Sequence, residues 1–239
     1  MFSVQINGCA VPVAIKRRKG SRHLRLRLNH CNDAVVSVPW HCSDREALQF
    51  VEAQRAWLAQ QLAGAPQVCS LRQWLTEHPQ LSGGGDRFAV RVELTDSLRA
   101  DYRFDAGGAD IVLRIPESHA DVDVLWLQVV KRFAKDVLRA RVAYHATRLG
   151  LQFCSLTVRD QATRWGSCSS RGGISLNWRL VLVAPALQDY VILHELAHLT
   201  EMNHSPRFWA LLDRYDPNRE ANELALNDLA ALIMRVGRR

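Results

Sequence analysis

The spacing of apolar residues predicts several β-strands in the first half of the chain. Leucine and polar residues alternate strictly over residues 22–30, which is typical of a half-buried strand. A turn at residues 32–33 and an apolar run at 35–38 complete a β-hairpin. A second alternating run at 88–94 predicts another strand, and further strand candidates lie within residues 102–115.

One helix is predicted before the strands at residues 88–115, and another is predicted after them. Residues 43–46 (Ser-Asp-Arg-Glu) form a capping box and predict a helix that extends to about residue 63. Residues 64–86 are expected to be mostly loop. A long helix is predicted over 121–149, because apolar residues recur at alternating steps of four and three, and Gly150 ends it. The residues of this stripe are Trp126, Val130, Phe133, Val137, Ala140 and Tyr144.

The last third of the chain combines strands and helices. Strands are predicted at 154–159 and 173–180, and an apolar helix follows at 186–200. Two more helices are predicted at about 206–214 and 218–236. We therefore expect an α+β fold.

The apolar helix at 186–200 carries the motif His-Glu-x-x-His. Its histidines, His194 and His198, are four residues apart and therefore lie on one helix face, where both imidazoles can bind the same zinc ion. Glu195, beside them, is a candidate general base. His204 is a candidate third ligand if the chain folds back after the helix. Three protein ligands leave the fourth position of zinc to water, which is typical of catalytic sites.

Two alternatives for the third ligand remain open. Glu220 and Glu223 lie on a later predicted helix, which is where His₂Glu sites take their glutamate. A return of His204 requires a sharp turn, and Asn203 could supply it, because asparagine tolerates the left-handed backbone region. Residues 205–206 (Ser-Pro) then predict the start of a new helix, which would fix the position of His204.

Composition and the lengths of apolar runs indicate where the protein is located and how its cysteines behave. The chain of 239 residues has no apolar run of bilayer length and no signal-peptide pattern at its start, so we expect a cytoplasmic protein that binds no membrane. Its six cysteines lack Cys-x-x-Cys spacing and are expected to be reduced. Cys168 as a nucleophile would need a base and an orienting partner, so a packed thiol is the simpler interpretation.

The net charge of +7 is unevenly distributed. Seven lysine and arginine residues lie within residues 16–27, whereas Asp33 is the single acidic residue of the first forty. Such a patch can bind nucleic acid or another polyanion. Because no aromatic stacking platform and no nucleic-acid motif accompany it in the sequence, a solvated strand face is the preferred interpretation.

Several segments together resemble one known family. Residues 164–168 (Arg-Trp-Gly-Ser-Cys), residues 176–180 (Leu-Asn-Trp-Arg-Leu) and residues 190–209, which include the histidine motif, look like the YgjP-like metallopeptidase family. That family is related to the SprT and WLM zincins. The resemblance is close over about 154–212, and the N-terminal hairpin and capped helix are also similar. Residues 64–115 match less well and are expected to be an elaborated insert.

The resemblance implies a gluzincin-like zincin core, in which helices pack on a small sheet. We place this core at residues 118–239, after a β-rich N-terminal part at 1–117. The resemblance also implies that the three histidines hold zinc and that Glu195 is the general base. The expected activity is cleavage of peptide bonds in a polypeptide substrate.

Substrate contacts are predicted from the surroundings of the motif. An extended substrate could add to an edge strand, for which the strand at 173–180 is the candidate, with Asn177 or Arg179 contacting the substrate or supporting the site. Tyr190 lies one turn before His194 and could support a ligand or an oxyanion, or be a buried structural tyrosine. Two other functions remain open: hydrolysis of nucleotide phosphates by the same zinc-activated water, and a non-catalytic nucleic-acid-associated module.

Overall fold

The structure, a computed structural model, describes residues 2–238. These residues form three small mixed sheets and seven α-helices, so the prediction of an α+β fold is confirmed. The described residues divide into two compact units, 2–69 with 238, and Ser70–Gly237. The boundary between an N-terminal part at 1–117 and a core at 118–239 stays a prediction. None of the described helices is long and apolar enough to cross a bilayer.

The first unit is a four-stranded sheet with two helices, and the strand order is β1-β2-β4-β3. The predicted hairpin is present as the antiparallel pair β3 and β4, and β4 also pairs in parallel with β2. One face of the sheet is apolar and buries valines, Ile6 and Ala34 against the helices. The elements are β1 (Phe2–Ile6), β2 (Cys9–Arg18), β3 (Arg25–Leu28), β4 (Ala34–Pro39), α1 (Asp44–Ala53) and α2 (Arg55–Gly64).

The predicted capping box is present at the start of α1. The Ser43 side chain accepts a hydrogen bond from the Glu46 backbone, and the Glu46 carboxylate accepts one from the Ser43 backbone N–H at 2.8 Å. The single helix predicted to residue 63 is instead divided into α1 and α2, because Gln54 leaves the helical region with φ of −96° and ψ of 16°.

The second unit begins with a helix and a second four-stranded sheet, ordered β5-β6-β8-β7. The expectation that residues 64–86 are mostly loop is wrong from residue 71 onward. A short helix starts after Ser70, whose side chain accepts a hydrogen bond from the Gln73 backbone N–H, and a strand follows this helix. Both elements are too short for a periodic pattern. The elements are α3 (Leu71–Glu77), β5 (Gln80–Gly83), β6 (Asp86–Thr95), β7 (Asp101–Phe104) and β8 (Asp110–Pro116).

The long helix α4 (Asp123–Leu149) ends as predicted at Gly150, which adopts a left-handed φ of 66°. The predicted apolar stripe is correct at its start and wrong at its end, since Tyr144 is 55% exposed. The buried face turns along the helix because its neighbours change. Phe133 packs against rings of the β5–β8 sheet, whereas His145 faces a later helix.

The third sheet has three strands in the order β10-β11-β9, so β11 is paired on both sides. The prediction that the strand at 173–180 lies at an edge is therefore wrong. It is also shorter than predicted, because residues Trp178–Leu182 form a 3₁₀ turn. The remaining elements are β9 (Ser155–Arg159), β10 (Gly166–Cys168), β11 (Gly173–Asn177), α5 (Pro185–Ala197), α6 (Pro206–Tyr215) and α7 (Arg219–Ile233).

An ion pair fixes α5 against α4. Asp189 accepts hydrogen bonds from Arg141 at 2.7 and 2.5 Å and contacts His145 Nε2 at 2.9 Å. Burial would raise the pKa of Asp189, but the hydrogen bonds from Arg141 and His145 outweigh it, and the pKa is lowered. The ionised carboxylate therefore stabilises the position of the helix that carries the motif.

We expect Asp189→Asn to lower the free energy of unfolding by about 2 kcal/mol at neutral pH, less than for a fully buried pair because both side chains keep some exposure. A carboxyl group whose folded pKa is lowered stabilises the fold above its ordinary pKa of about 3.9 and loses this effect as the pH falls through the folded value. Urea unfolding should therefore show a constant difference in the free energy of unfolding between wild type and Asp189→Asn near neutral pH. This difference should become smaller below about pH 4. Asp121→Asn, in an exposed pair with Arg72, is the matched control and should change stability little.

Candidate metal centre

The motif lies on a helix that the fold buries on nearly all sides. Nine of the thirteen residues of α5 are buried, and the helix packs against α4, α6, α7 and β10. It ends at Ala197, three residues earlier than predicted, so that His198 caps it. A helix enclosed in this way gives its side chains little freedom, and both motif histidines are held at fixed positions.

Three histidines come together at the end of α5. Ligand nitrogens of His194, His198 and His204 all lie within 4.8 Å of one another, and the Nε2 atoms of His194 and His204 are 3.0 Å apart. Nitrogens that share a tetrahedral zinc at about 2.0 Å lie about 3.3 Å from each other, so the group fits this ion with small adjustments. The alternative ligands Glu220 and Glu223 are outside the group and pair with Arg219.

A short turned segment brings His204 back to the helix. The backbone N–H of Glu201 donates to the carbonyl of Ala197 at 2.9 Å, and α6 then starts directly after His204 and Ser205. The helix start at residues 205–206 is as predicted. The expectation for Asn203 is wrong, because it is not among the described residues with positive φ.

The pKa values of the two helix histidines favour the binding of a cation. Burial, together with the neighbouring histidines, lowers the pKa of His194 to about 4. Burial also lowers the pKa of His198, whose Nδ1 lies 3.1 Å from the carbonyl oxygen of Glu201. A hydrogen bond from Nδ1 to that carbonyl leaves Nε2 of His198 as the ligand atom. Both helix histidines are therefore neutral, as metal binding requires.

Two aromatic residues of α6 support the histidines. The buried ring of Phe208 stacks on His198 at 4.6 Å, and its centroid lies 4.9 Å from that of His194 and 4.8 Å from that of His204. Trp209 lies 5.6 Å from His204 and carries the guanidinium of Arg219 over its ring at 5.0 Å. The sequence predicts no site role for these residues, although they follow His204 by four and five positions, within the first turn of the next helix.

Glu195 is held against a glycine of β10. Its side chain is 6% exposed, and Oε2 has no hydrogen-bond partner among the described residues. Burial raises the pKa of Glu195 to about 8, although the charge of Arg164 opposes this shift. A Cβ placed on Gly166 would lie 2.6 Å from Glu195 Oε1, so the strand approaches the carboxylate this closely because residue 166 has no side chain.

A cavity of about 250 Å³ opens beside Glu195 and His194. Arg164, Tyr190 and Glu223 are among its other lining residues. Tyr190 is nearly buried, and burial, together with the charge of Glu223, raises its pKa far above the ordinary value. Its hydroxyl therefore stays protonated and able to donate a hydrogen bond.

Asn177 and Arg179 have no exposed surface, so neither contacts a substrate in this conformation. Asn177 Nδ2 donates to the carbonyls of Gln161 and Arg164, both at 2.9 Å, and thereby fixes the segment that leads into β10. Arg179 donates to the Asp160 carboxylate at 2.6 Å. Their location favours the second predicted role, support of the site.

Cys168 is a free thiol on β10. Burial raises its pKa to about 11, and the charge of Glu195 adds to the shift. A thiol in this state is protonated at neutral pH, which argues against a cysteine nucleophile.

Comparison with known proteins identifies the family. The model of the YgjP-like metallopeptidase domain matches residues 22–229. The chain is also similar to the crystal structure of the metallopeptidase zymogen of Pyrococcus abyssi abylysin, with 23% identity over 40% of this chain and 94% of that chain and a TM-score of 0.35. The comparison with curated proteins gives no match. The matched range covers most of the chain, and the protein therefore belongs to the YgjP-like metallopeptidase family.

Proposed function

We propose that the protein is a zinc metallopeptidase with a gluzincin-like core, in which His194, His198 and His204 hold the ion and Glu195 is the general base. One observation carries this proposal: three imidazoles converge beside a buried carboxylate whose Oε2 has no hydrogen-bond partner among the described residues. Buried polar atoms are normally satisfied, so an unsatisfied one beside a ligand group suits a bound water or substrate.

In the proposed reaction the metal ion and Glu195 have different roles. Zinc held by His194, His198 and His204 would supply Lewis-acid chemistry, which acidifies water and polarises a carbonyl group. Glu195 accepts a proton from the attacking water and delivers it to the leaving amine. The pKa of Glu195 is about 8 because the side chain is buried, and a nearby cation would lower this pKa toward about 7. A pKa near 7 suits a group that must both accept and release a proton.

We propose that the substrate lies along β10. Among the described strands β10 pairs only with β11, so no strand occupies its other edge, and Gly166 places β10 against Glu195. An extended polypeptide can add to such an edge through main-chain hydrogen bonds. Tyr190, with its protonated hydroxyl, is proposed to support the wall of the adjoining cavity through Glu223.

The family and the lining of the cavity favour a peptide over a nucleotide phosphate. The matched domain is a metallopeptidase, and the cavity lining includes a single cation, Arg164, rather than the cluster of cations that typically binds phosphate groups. A panel of unstructured proteins, peptides and nucleotides, each with and without chelator, tests the choice. Chelator-sensitive cleavage of a polypeptide is expected, and chelator-sensitive release of phosphate alone would overturn the proposal.

We expect His204→Ala to lower zinc affinity by on the order of 100-fold or more, since removing even an outer partner of a zinc ligand costs about 10–100-fold. Competition with a zinc-binding dye measures the affinity. Glu223→Ala is the control and should retain zinc. Unchanged affinity in His204→Ala combined with a loss in Glu223→Ala would assign the third ligand to the glutamate.

A further inference from the structure

One face of the first sheet gathers positive charge. Lys16 on β2 is opposite Ser37 on β4, and Ser37 is opposite Arg25 on β3. Cross-strand partners and every second residue along a strand share a face, so Arg18 and Arg27 join this row. All four cations are exposed. We call Lys16, Arg18, Arg25 and Arg27 the basic face.

The basic face lacks counter-charges. Arg17, which alternates to the other side of β2, pairs with Asp44. No ion pair involves any of the four cations within the described part of the chain, residues 2–238. Like charges this close repel one another, and an anionic ligand would relieve the repulsion.

The face is concave at one end. A cavity of about 420 Å³ lies between Arg18, Arg25 and Arg27, and Lys19 and Ser37 also line it. Guanidinium groups bind phosphate oxygens in a bidentate manner, and a serine hydroxyl adds a further donor. The lining includes no acidic residue. The cavity therefore suits a phosphate group.

An aromatic ring lies near Lys19, one of the lining residues of this cavity. Trp40, directly after β4, is 63% exposed, and Nζ of Lys19 lies 5.9 Å from its ring centroid. From the sequence alone a solvated strand face is the preferred interpretation of these cations, because no aromatic platform is evident there. The structure supplies one, and an exposed indole beside phosphate-binding cations is the combination that binds unpaired bases.

We propose that the basic face and Trp40 bind single-stranded nucleic acid, with phosphates on the arginines and a base stacked on the indole. A duplex keeps its base faces stacked inside, so it cannot use the ring. Four cations alone would bind an anionic membrane only weakly, and the cavity lining carries no apolar side chain that could add to the binding. This binding is separate from the proposed peptidase site.

Fluorescence anisotropy with labelled single-stranded 20-mers of DNA and RNA tests the proposal on the full chain. Four phosphate contacts on a single strand predict a loss of affinity of about 50-fold between 50 and 200 mM salt. Arg25→Gln/Arg27→Gln should weaken binding at least about tenfold and flatten the salt dependence. Trp40→Ala should weaken binding about tenfold and leave the salt dependence unchanged.

The control is Arg45→Gln/Arg55→Gln, which removes two exposed charges of the same unit outside the basic face and should leave affinity nearly unchanged. Equal losses in both double variants, or equal affinity for duplex and single strand with no effect of Trp40→Ala, would overturn the proposal. So would binding to phosphatidylserine vesicles without binding to either oligonucleotide. Zinc-dependent hydrolysis of an unstructured protein should be unchanged in Arg25→Gln/Arg27→Gln, which separates this site from the proposed peptidase function.

Discussion

Glu195→Gln is expected to bind zinc with the same stoichiometry as the wild type and to lose at least about 100-fold in kcat, because a positioned general base contributes 10²–10⁴-fold. The amide has the shape of the carboxylate and cannot accept the proton of a water. The fold should tolerate it, because burial already favours the neutral form of this side chain. Single-turnover cleavage of an unstructured protein and metal analysis of the same preparation give the two measurements.

Glu201→Gln is the matched control for this prediction. Residue 201 lies in the turn after α5 and contributes its backbone carbonyl to His198, so loss of its carboxylate should leave both zinc and turnover intact. Full activity in Glu195→Gln would remove Glu195 from the role of base. Loss of zinc together with activity would assign it a part in metal binding instead.

The parts of the site that the sequence could predict are local in the chain. His194, Glu195 and His198 follow from helix geometry, and the Ser-Pro pair at 205–206 marks the helix start that holds His204. The same is true of the capping box of α1. In each case the residues that interact are within a few positions of one another, so their spacing alone specifies the contact.

The parts that could not be predicted depend on distant segments. The strand β10 has three residues, too few for an alternating pattern, and its contact with Glu195 joins positions 29 residues apart. The basic face combines three strands whose order β2-β4-β3 is not the order of the chain. The complete burial of Asn177 could not be predicted for a related reason, since burial depends on the packing of the whole unit.

These distant contacts define how the site is supported. Phe208 packs against all three histidines, and Asn177 fixes the segment before β10. Glu195, on the helix that carries His194, is thus held against β10, along which we propose that the substrate lies. Because Gly166 is the point of contact between the two, the position of the carboxylate depends on the size of residue 166.

Gly166→Ala is therefore expected to lower kcat by about 10–100-fold with zinc retained, since a displacement of about 1 Å in a catalytic group can cost 100-fold. The φ of Gly166 is not positive, so alanine is compatible with the backbone, and the effect arises from the Cβ that would lie 2.6 Å from Glu195 Oε1. Overpacking of this kind also costs about 1–3 kcal/mol of stability. Urea unfolding, metal analysis and single-turnover kinetics measure the three effects.

Gly107→Ala is the control for the added methyl group, because the nearest atom to its Cβ, in Asp105, is 3.7 Å away. A double-mutant cycle then identifies the cause. Glu195→Asp removes one methylene, so Gly166→Ala/Glu195→Asp should lose less activity than the sum of the single losses, because the shorter acid leaves room for the methyl group. Strict additivity, or full activity in Gly166→Ala, would mean that the strand moves away without disturbing Glu195.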